Sequence, residues 1–256
     1  MLHRFHPHAF RALLLLALLS LAACSSPAPR PPVAEAREAD PVSVLNKRYA
    51  ELKAGQAGSH LYRLDAAASH LHIHVFRAGR AAGLGHNHVL SAPRLQGRIW
   101  LPAAALQGGA QALAPGQAEF LLRLDELQLD EPALRAALGP GWASTLSAEA
   151  VAATRANMLA GLQAQAYPWV RLRALRLVGE APKLALEVEI ELHGQSRRQW
   201  LAVEAGLEPD RLRLRGALVL RQTDFGLQPF SVGAGLLAVA DELLLAFDLL
   251  ARAEGG

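Results

Sequence analysis

The chain has 256 residues, of which 52% are hydrophobic and 19% charged, with a formal net charge of +3. Arg4 and Arg11 carry part of that charge on an N-terminal segment that reads as cleaved, so the remainder is nearly neutral, with no electrostatic footprint for nucleic acid. A lone cysteine, Cys24, excludes an internal disulfide, and the apolar fraction is ample for a large core.

Met1 to Arg11 is a basic, histidine-containing head, and the apolar run ALLLLALLSLAA, Ala12 to Ala23, ends at Cys24. Such a run is too short for a hydrocarbon core, which takes roughly 20 apolar residues, and it has the layout of a secretory signal. LAAC, Leu21 to Cys24, resembles the bacterial lipobox. That motif implies a lipoprotein signal peptide over residues 1–23 and acylation of Cys24 by palmitate-type chains. Two or more chains anchor stably, at about 0.8 kcal/mol per buried methylene. Ser25, where an aspartate would favour inner-membrane retention, points by analogy to the outer membrane, facing the periplasm.

Residues 24–57 form the acylated N-terminus and a Pro/Ala-rich tether, with a possible short helix through VLNKRYAELKAG, capped by Ser43 and stopped by Gly55. Beyond Gly58 the texture is that of strands, over a domain spanning 58–254. The first candidate, Ser69 to Phe76, places His70, His72 and His74 on one face and Leu71, Ile73 and Val75 on the other. The apolar face is the buried one, which predicts that the three histidines face water. His86 and His88 follow Gly79, Gly83 and Gly85 in a turn, where they read equally as hydrogen-bonded turn residues or as polar contacts at a cavity mouth.

Glu119 to Leu129 reads as a strand burying Phe120, Leu122 and Leu124. EPALRAALG and SAEAVAATRANMLAGLQ read as helices, the second capped by Ser147. Val170 to Val178 and LALEVEIEL then form a hairpin through GEAPK, bringing Arg171 and Arg173 to the glutamate face. Asp210 to Leu220 sets Leu212, Leu214, Gly216, Leu218 and Leu220 against arginines, and Asp241 to Ala251 closes the series. Neighbouring strands joined by short turns predict an antiparallel sheet with one apolar face, as a sandwich or a closed barrel.

No nucleophile elbow, phosphate loop, dinucleotide fingerprint or H-E-x-x-H helix is present, which points away from an enzyme. The histidines leave one alternative, a metal- or haem-binding envelope protein using His86 and His88, with His193 as a further ligand.

Five fragments in order carry a resemblance to the YceI-like, polyisoprenoid-binding family: Tyr62 and Asp65 with Ser69; Tyr167 and Pro168; His193 and Gly194; Arg221, Thr223, Asp224, Phe225 and Gly226; and the closing VADELLLAFDLLA. The resemblance implies an all-β fold with short helices, an antiparallel eight-stranded lipocalin-like barrel whose apolar lumen holds an isoprenoid or similar amphiphile. Closure removes the sheet edges, and about eight strands leave room for one small ligand. In that design the inward side chains form the binding surface, so Leu71, Ile73, Val75, Phe120, Leu122, Leu186, Val188, Ile190, Leu214 and Phe247 are the lumen candidates. His86, Asn87, His88 and Asp224 are the polar rim candidates. Where the family carries a polar segment before the tyrosine-proline pair, this chain has TRANMLAGLQAQAYP, with Arg155 and Asn157 in loose correspondence. The expectation is a non-catalytic, lipid-anchored envelope protein that binds an amphiphile, possesses no cofactor beyond a bound isoprenoid lipid, and does not bind nucleic acid.

Overall fold

The computed structural model describes residues 40–107 and 113–254, so the signal peptide, Cys24 and the tether through Ala39 lie outside the described residues. The chain folds as α1 (Pro41–Gly55), β1 (His60–Leu64), β2 (His70–Ala78), β3 (His88–Ser91), β4 (Gln96–Leu101), β5 (Gln117–Arg123) and β6 (Gln128–Leu129). It continues through α2 (Pro132–Ala137), α3 (Ala148–Gly161), β7 (Trp169–Glu180), β8 (Lys183–Leu192), β9 (Gln195–Leu207), β10 (Arg211–Arg221), β11 (Ser231–Val232) and β12 (Leu237–Ala253).

All pairings are antiparallel, and the ring β1-β4-β5-β7-β8-β9-β10-β12 closes because β12 pairs with β1 as well as with β10. β2, β3 and β6 prolong β1, β4 and β5 around short bends, so the wall is an eight-stranded barrel with one flank drawn out beyond the ring. The predicted strand over Glu119 to Leu129 is one of these bent strands. It breaks at a 3-10 turn, Leu124–Glu126, after the Leu124 amide makes a last bond in the β5–β7 register, to Pro168 O (2.9 Å).

The period-two segments take the predicted faces. In the β7–β8 hairpin Arg171 lies opposite Glu191 and Arg173 opposite Glu189, and a bulge after Ala174 moves the next pair to Arg176 and Glu187. An irregularity of this kind adds one residue to one strand, which lets Leu177 turn inward opposite Leu186.

The α1 helix packs on the outer wall. Leu45 and Tyr49 are buried against Leu61, Trp100 and Leu121, the outward residues of β1, β4 and β5. Its cap is Asp40, whose carboxylate accepts from the Val42 and Ser43 amides, so the predicted cap Ser43 sits inside the first turn. Proline at the first helical position fixes that start. Under the helix, buried Glu119 accepts from Arg48 (2.7 Å) and pairs with Arg171 (3.3 Å), and burial raises the Tyr49 pKa above the ordinary phenol value.

Turns gather at two ends. At one end lie α3, the 79–87 and 222–236 loops, and the β8–β9 turn; at the other lie the β7–β8 and β9–β10 turns. Among the described residues no helix is long and apolar enough to cross a membrane.

Candidate functional site: the apolar lumen and its helix-capped end

The inner wall encloses a cavity of about 110 Å³ lined by 17 residues, all aliphatic or aromatic. Eight of the ten predicted lumen residues are among them: Leu71, Phe120, Leu122, Leu186, Val188, Ile190, Leu214 and Phe247. Ile73 and Val75 also point inward, but in the drawn-out flank. There they pack against the cluster of Leu90, Leu95, Leu124 and Leu129 and do not line the cavity. A second cavity of about 80 Å³ lies toward the β7–β8 turn, and Leu186 and Leu214 form part of both linings.

Many of the inward side chains are only half-buried. Leu71, Phe120, Val170, Leu172, Leu186, Leu214, Leu245 and Phe247 each keep part of their surface uncovered, although Val188, Ile190 and Leu218 in the same wall are fully buried. A packed interior fills its space to crystal-like density and leaves few gaps. This lumen is therefore hollow along part of its length.

Helix α3 lies over one end. Val151, Met158 and Leu159, with Leu162 just past the helix, rest against the inner cluster, yet no α3 residue is fully buried. Ser147 caps the helix as predicted, accepting from the Ala150 amide (3.2 Å). Beside it an open cleft of about 1040 Å³ separates α3 from α2 and β6. Leu127, Leu129 and Val151 line this cleft and also belong to the inner apolar cluster.

The predicted polar rim resolves into a structural tie. His88 Nδ1 donates to Asp130 Oδ2 (2.6 Å), and the other carboxylate oxygen accepts from the Val89 amide (3.1 Å) and Arg135 Nη1 (2.7 Å). Arg135 also donates to Asn87 O and to Ser144, while His86 Nδ1 sits 3.0 Å from Ser144 Oγ. Asn87 accepts from the Arg77 amide and donates to Gly141 O. Burial works to raise the Asp130 pKa, but the hydrogen bonds from His88, Val89 and Arg135 outweigh it and hold the carboxyl below its usual range. The Asp130 backbone is left-handed (φ 57°), a conformation Asp tolerates better than most residues. Asp224 is exposed on a 3-10 turn, away from this network.

The expectation of three solvated histidines holds for His70, while His72 is half-buried and His74 is buried. For His74 the cause is Trp142, carried over the outer sheet face by the segment after α2. Its ring meets His74 edge-on at 5.3 Å and Phe76 at 6.0 Å. Burial lowers the pKa of both His72 and His74. His193 and Gly194 form the two-residue β8–β9 turn, both with positive φ (53° and 68°), as hairpin geometry requires. A Cβ on Gly194 would stand 2.8 Å from the Tyr167 ring, and His193 Nδ1 bonds Phe225 O (3.1 Å). Among the described residues no three His, Cys, Asp or Glu side chains converge as a metal site, so His86, His88 and His193 are not one ligand set.

The sequence matches no protein-family model and no curated protein. A crystal structure of Burkholderia cenocepacia BcnA has a TM-score of 0.48 and 14% identity over 73% of this chain and 98% of that one. A Campylobacter jejuni YceI protein structure has a TM-score of 0.37 and 12% identity over 55% of this chain and 73% of that one. The chain is similar to both in fold. The landmarks that resemble that family have structural roles here. Asp65 binds Arg252 (2.6 Å) and caps the turn after β1; Ser69 bridges both polar groups of Leu250; Arg221 and Thr223 hold Asp241.

Sequence reading missed β9, which adds Leu201 and Val203 to the lining, and missed Asp130, Arg135 and Trp142. The alternation of Leu201, Val203 and Ala205 is a signal for β9. Nothing local in the sequence pairs Asp130 with His88.

Proposed function

We propose that the protein is a non-catalytic binder that holds the apolar body of an amphiphile, such as a polyisoprenoid, in the barrel lumen. We further propose that Cys24 is acylated and that the lipoprotein sits in the outer membrane, facing the periplasm. The lumen supports the first reading: its lining is wholly apolar, and much of it is incompletely covered by its own neighbours. Burying exposed apolar surface contributes about 25 cal/mol per Å², and a chain without polar groups loses no hydrogen bonds on entering such a wall.

Ligand pockets commonly measure about 300–1,000 Å³, more than the cavities of about 110 and 80 Å³ here. Filling the lumen therefore requires half-buried side chains to move and the cap to lift. Helix α3 suits that role, being shallowly seated and flanked by the open cleft. Leu127 and Leu129 continue the apolar surface from lumen to cleft, where Arg94, Arg155 and Thr145 offer polar contacts to a head group.

Organic extraction of the purified protein followed by mass spectrometry is expected to release an amphiphile, and delipidated protein is expected to take up polyprenyl compounds. Finding neither sinks the lumen reading. For the anchor, labelled palmitate should enter the parent chain and not the Cys24→Ser variant; equal labelling refutes acylation there.

A further inference from the structure

Two loops at the α3 end carry apolar side chains that the barrel does not use. Leu84, in the 79–87 loop, is 78% exposed, and Phe230, Val232 and Leu236, between β10 and β12, are 47%, 44% and 45% exposed. The loops form one unit, since the Arg80 and Ala81 amides donate to Gly235 O (3.2 Å) and Leu236 O (2.8 Å). They approach so closely that a Cβ on Gly79 would lie 2.6 Å from Leu236 O. β11 ties the tip back to β12 through Val232 opposite Leu237. An isolated exposed leucine is ordinary, but four large apolar side chains on one hydrogen-bonded tip form a patch of the sort that marks an interface.

Charge and chain path identify the partner. The 79–87 loop contains no acid, and Arg77 and Arg80 are exposed at its base. The 222–236 loop contains one acid, the exposed Asp224, and at the start of β12 Asp241 is engaged by Arg221 and Thr223 while Glu242 is exposed beside the exposed Arg221. α1 enters the fold at this same end. Val42 packs on the cluster that Trp169, the first residue of β7, also joins. Fifteen residues separate Asp40 from Cys24, a reach of at most about 50 Å when extended. An acyl anchor there would hold the apolar tip within reach of the bilayer.

We propose that the paired loops, through Leu84, Phe230, Val232 and Leu236, form a docking surface for an anionic lipid bilayer and present the α3-capped end of the barrel to the membrane. Apolar side chains enter the head-group boundary while flanking arginines meet acidic head groups, the combination that gives reversible interfacial binding. This deepens the lumen reading, since an amphiphile exchanged at that end would pass between bilayer and barrel without crossing water.

The test is depth measurement on the full chain in phosphatidylglycerol vesicles. Bimane placed on Leu84→Cys or Phe230→Cys, with the parent chain as background for Cys24, is expected to be quenched by spin-labelled acyl chains. Bimane on Val178→Cys, near the β7–β8 turn, is expected to stay unquenched. A paired Leu84→Asp, Phe230→Asp variant should lower vesicle association of the unacylated Cys24→Ser chain roughly tenfold, whereas Val178→Asp leaves it unchanged. Equal quenching at positions 84 and 178, or none at 84 and 230, overturns the docking surface. Extracted amphiphile is measured on the same preparations. An empty lumen with quenching at position 84 removes the binding reading alone, and a loaded lumen without quenching removes the docking surface alone.

Discussion

Asp130→Asn tests whether the histidine-rich loop is held by charge or merely by packing. The Asp130 side chain is fully buried, Arg135 is nearly so, and the two meet at 2.7 Å, with His88 and the Val89 amide completing the carboxylate's partners. Asparagine keeps the size and tolerates the left-handed backbone, so the substitution removes charge without adding strain. It leaves the Arg135 guanidinium buried without its counter-ion, and breaking such a pair from one side costs about 3–5 kcal/mol. For a domain of this size each kcal/mol moves the midpoint by about 2–4 °C, so the thermal transition followed by circular dichroism should fall by roughly 6–20 °C. Arg135→Met alone should also destabilise. The double variant should be less damaged than the sum of the two by about 1–3 kcal/mol, because neither charge is then stranded. A single Asn variant within 1 kcal/mol of the parent, or strict additivity, would refute the idea that this ion pair holds the loop.

Leu214 borders both cavities, so Leu214→Phe should cut the amphiphile recovered by extraction severalfold while costing about 1–3 kcal/mol of stability; undiminished recovery would show that the ligand does not occupy this part of the lumen. Gly216→Ala puts a Cβ 2.6 Å from Ala202 O and 2.7 Å from the Phe247 ring. Backbone cannot give way as a side-chain end can, so denaturant titration should show a loss of about 1–3 kcal/mol. Arg213, then Arg215, lower the Asp248 pKa to about 2 from 3.8. A depressed carboxyl stabilises the fold above its unfolded pKa and loses that contribution as pH falls toward the folded value. Stability should thus decline between about pH 4 and pH 2, and Asp248→Asn should flatten that stretch of the curve.

The barrel was legible wherever one face of a strand is wet. β8 alternates leucine, valine and isoleucine with glutamate, and β10 alternates leucine with arginine, so the pattern gives strand, face and even the arginine–glutamate pairing. It faded where both faces are covered. In β4, IWL is apolar on both sides because α1 buries Trp100 from outside while Ile99 faces inward. It misled at His74, since a strand's own alternation cannot show that Trp142, far along the chain, will cover its outer face. The Asp130 network was invisible for the same reason: His88 and Asp130 lie 42 residues apart, and only the folded sheet brings them together. Eight of the ten lumen candidates line the cavity because inward position follows from period two. Ile73 and Val75 missed the cavity because periodicity gives a direction but not a height along the barrel.

β12 pairs along one side with β10 and along the other with β1 and β2, and it follows all of them in the chain. Until that segment is in place the wall has two open edges and an unroofed apolar trough, the state most open to wrong pairing between molecules. Closure also joins parts nearly two hundred residues apart, as in the Ser69–Leu250 bonds, and such distant contacts form slowly. A chain cut before Leu237 would therefore fail as a whole barrel, giving not a shortened carrier but an aggregating sheet. In a living cell, the most vulnerable interval for this protein is the one before its last long strand arrives.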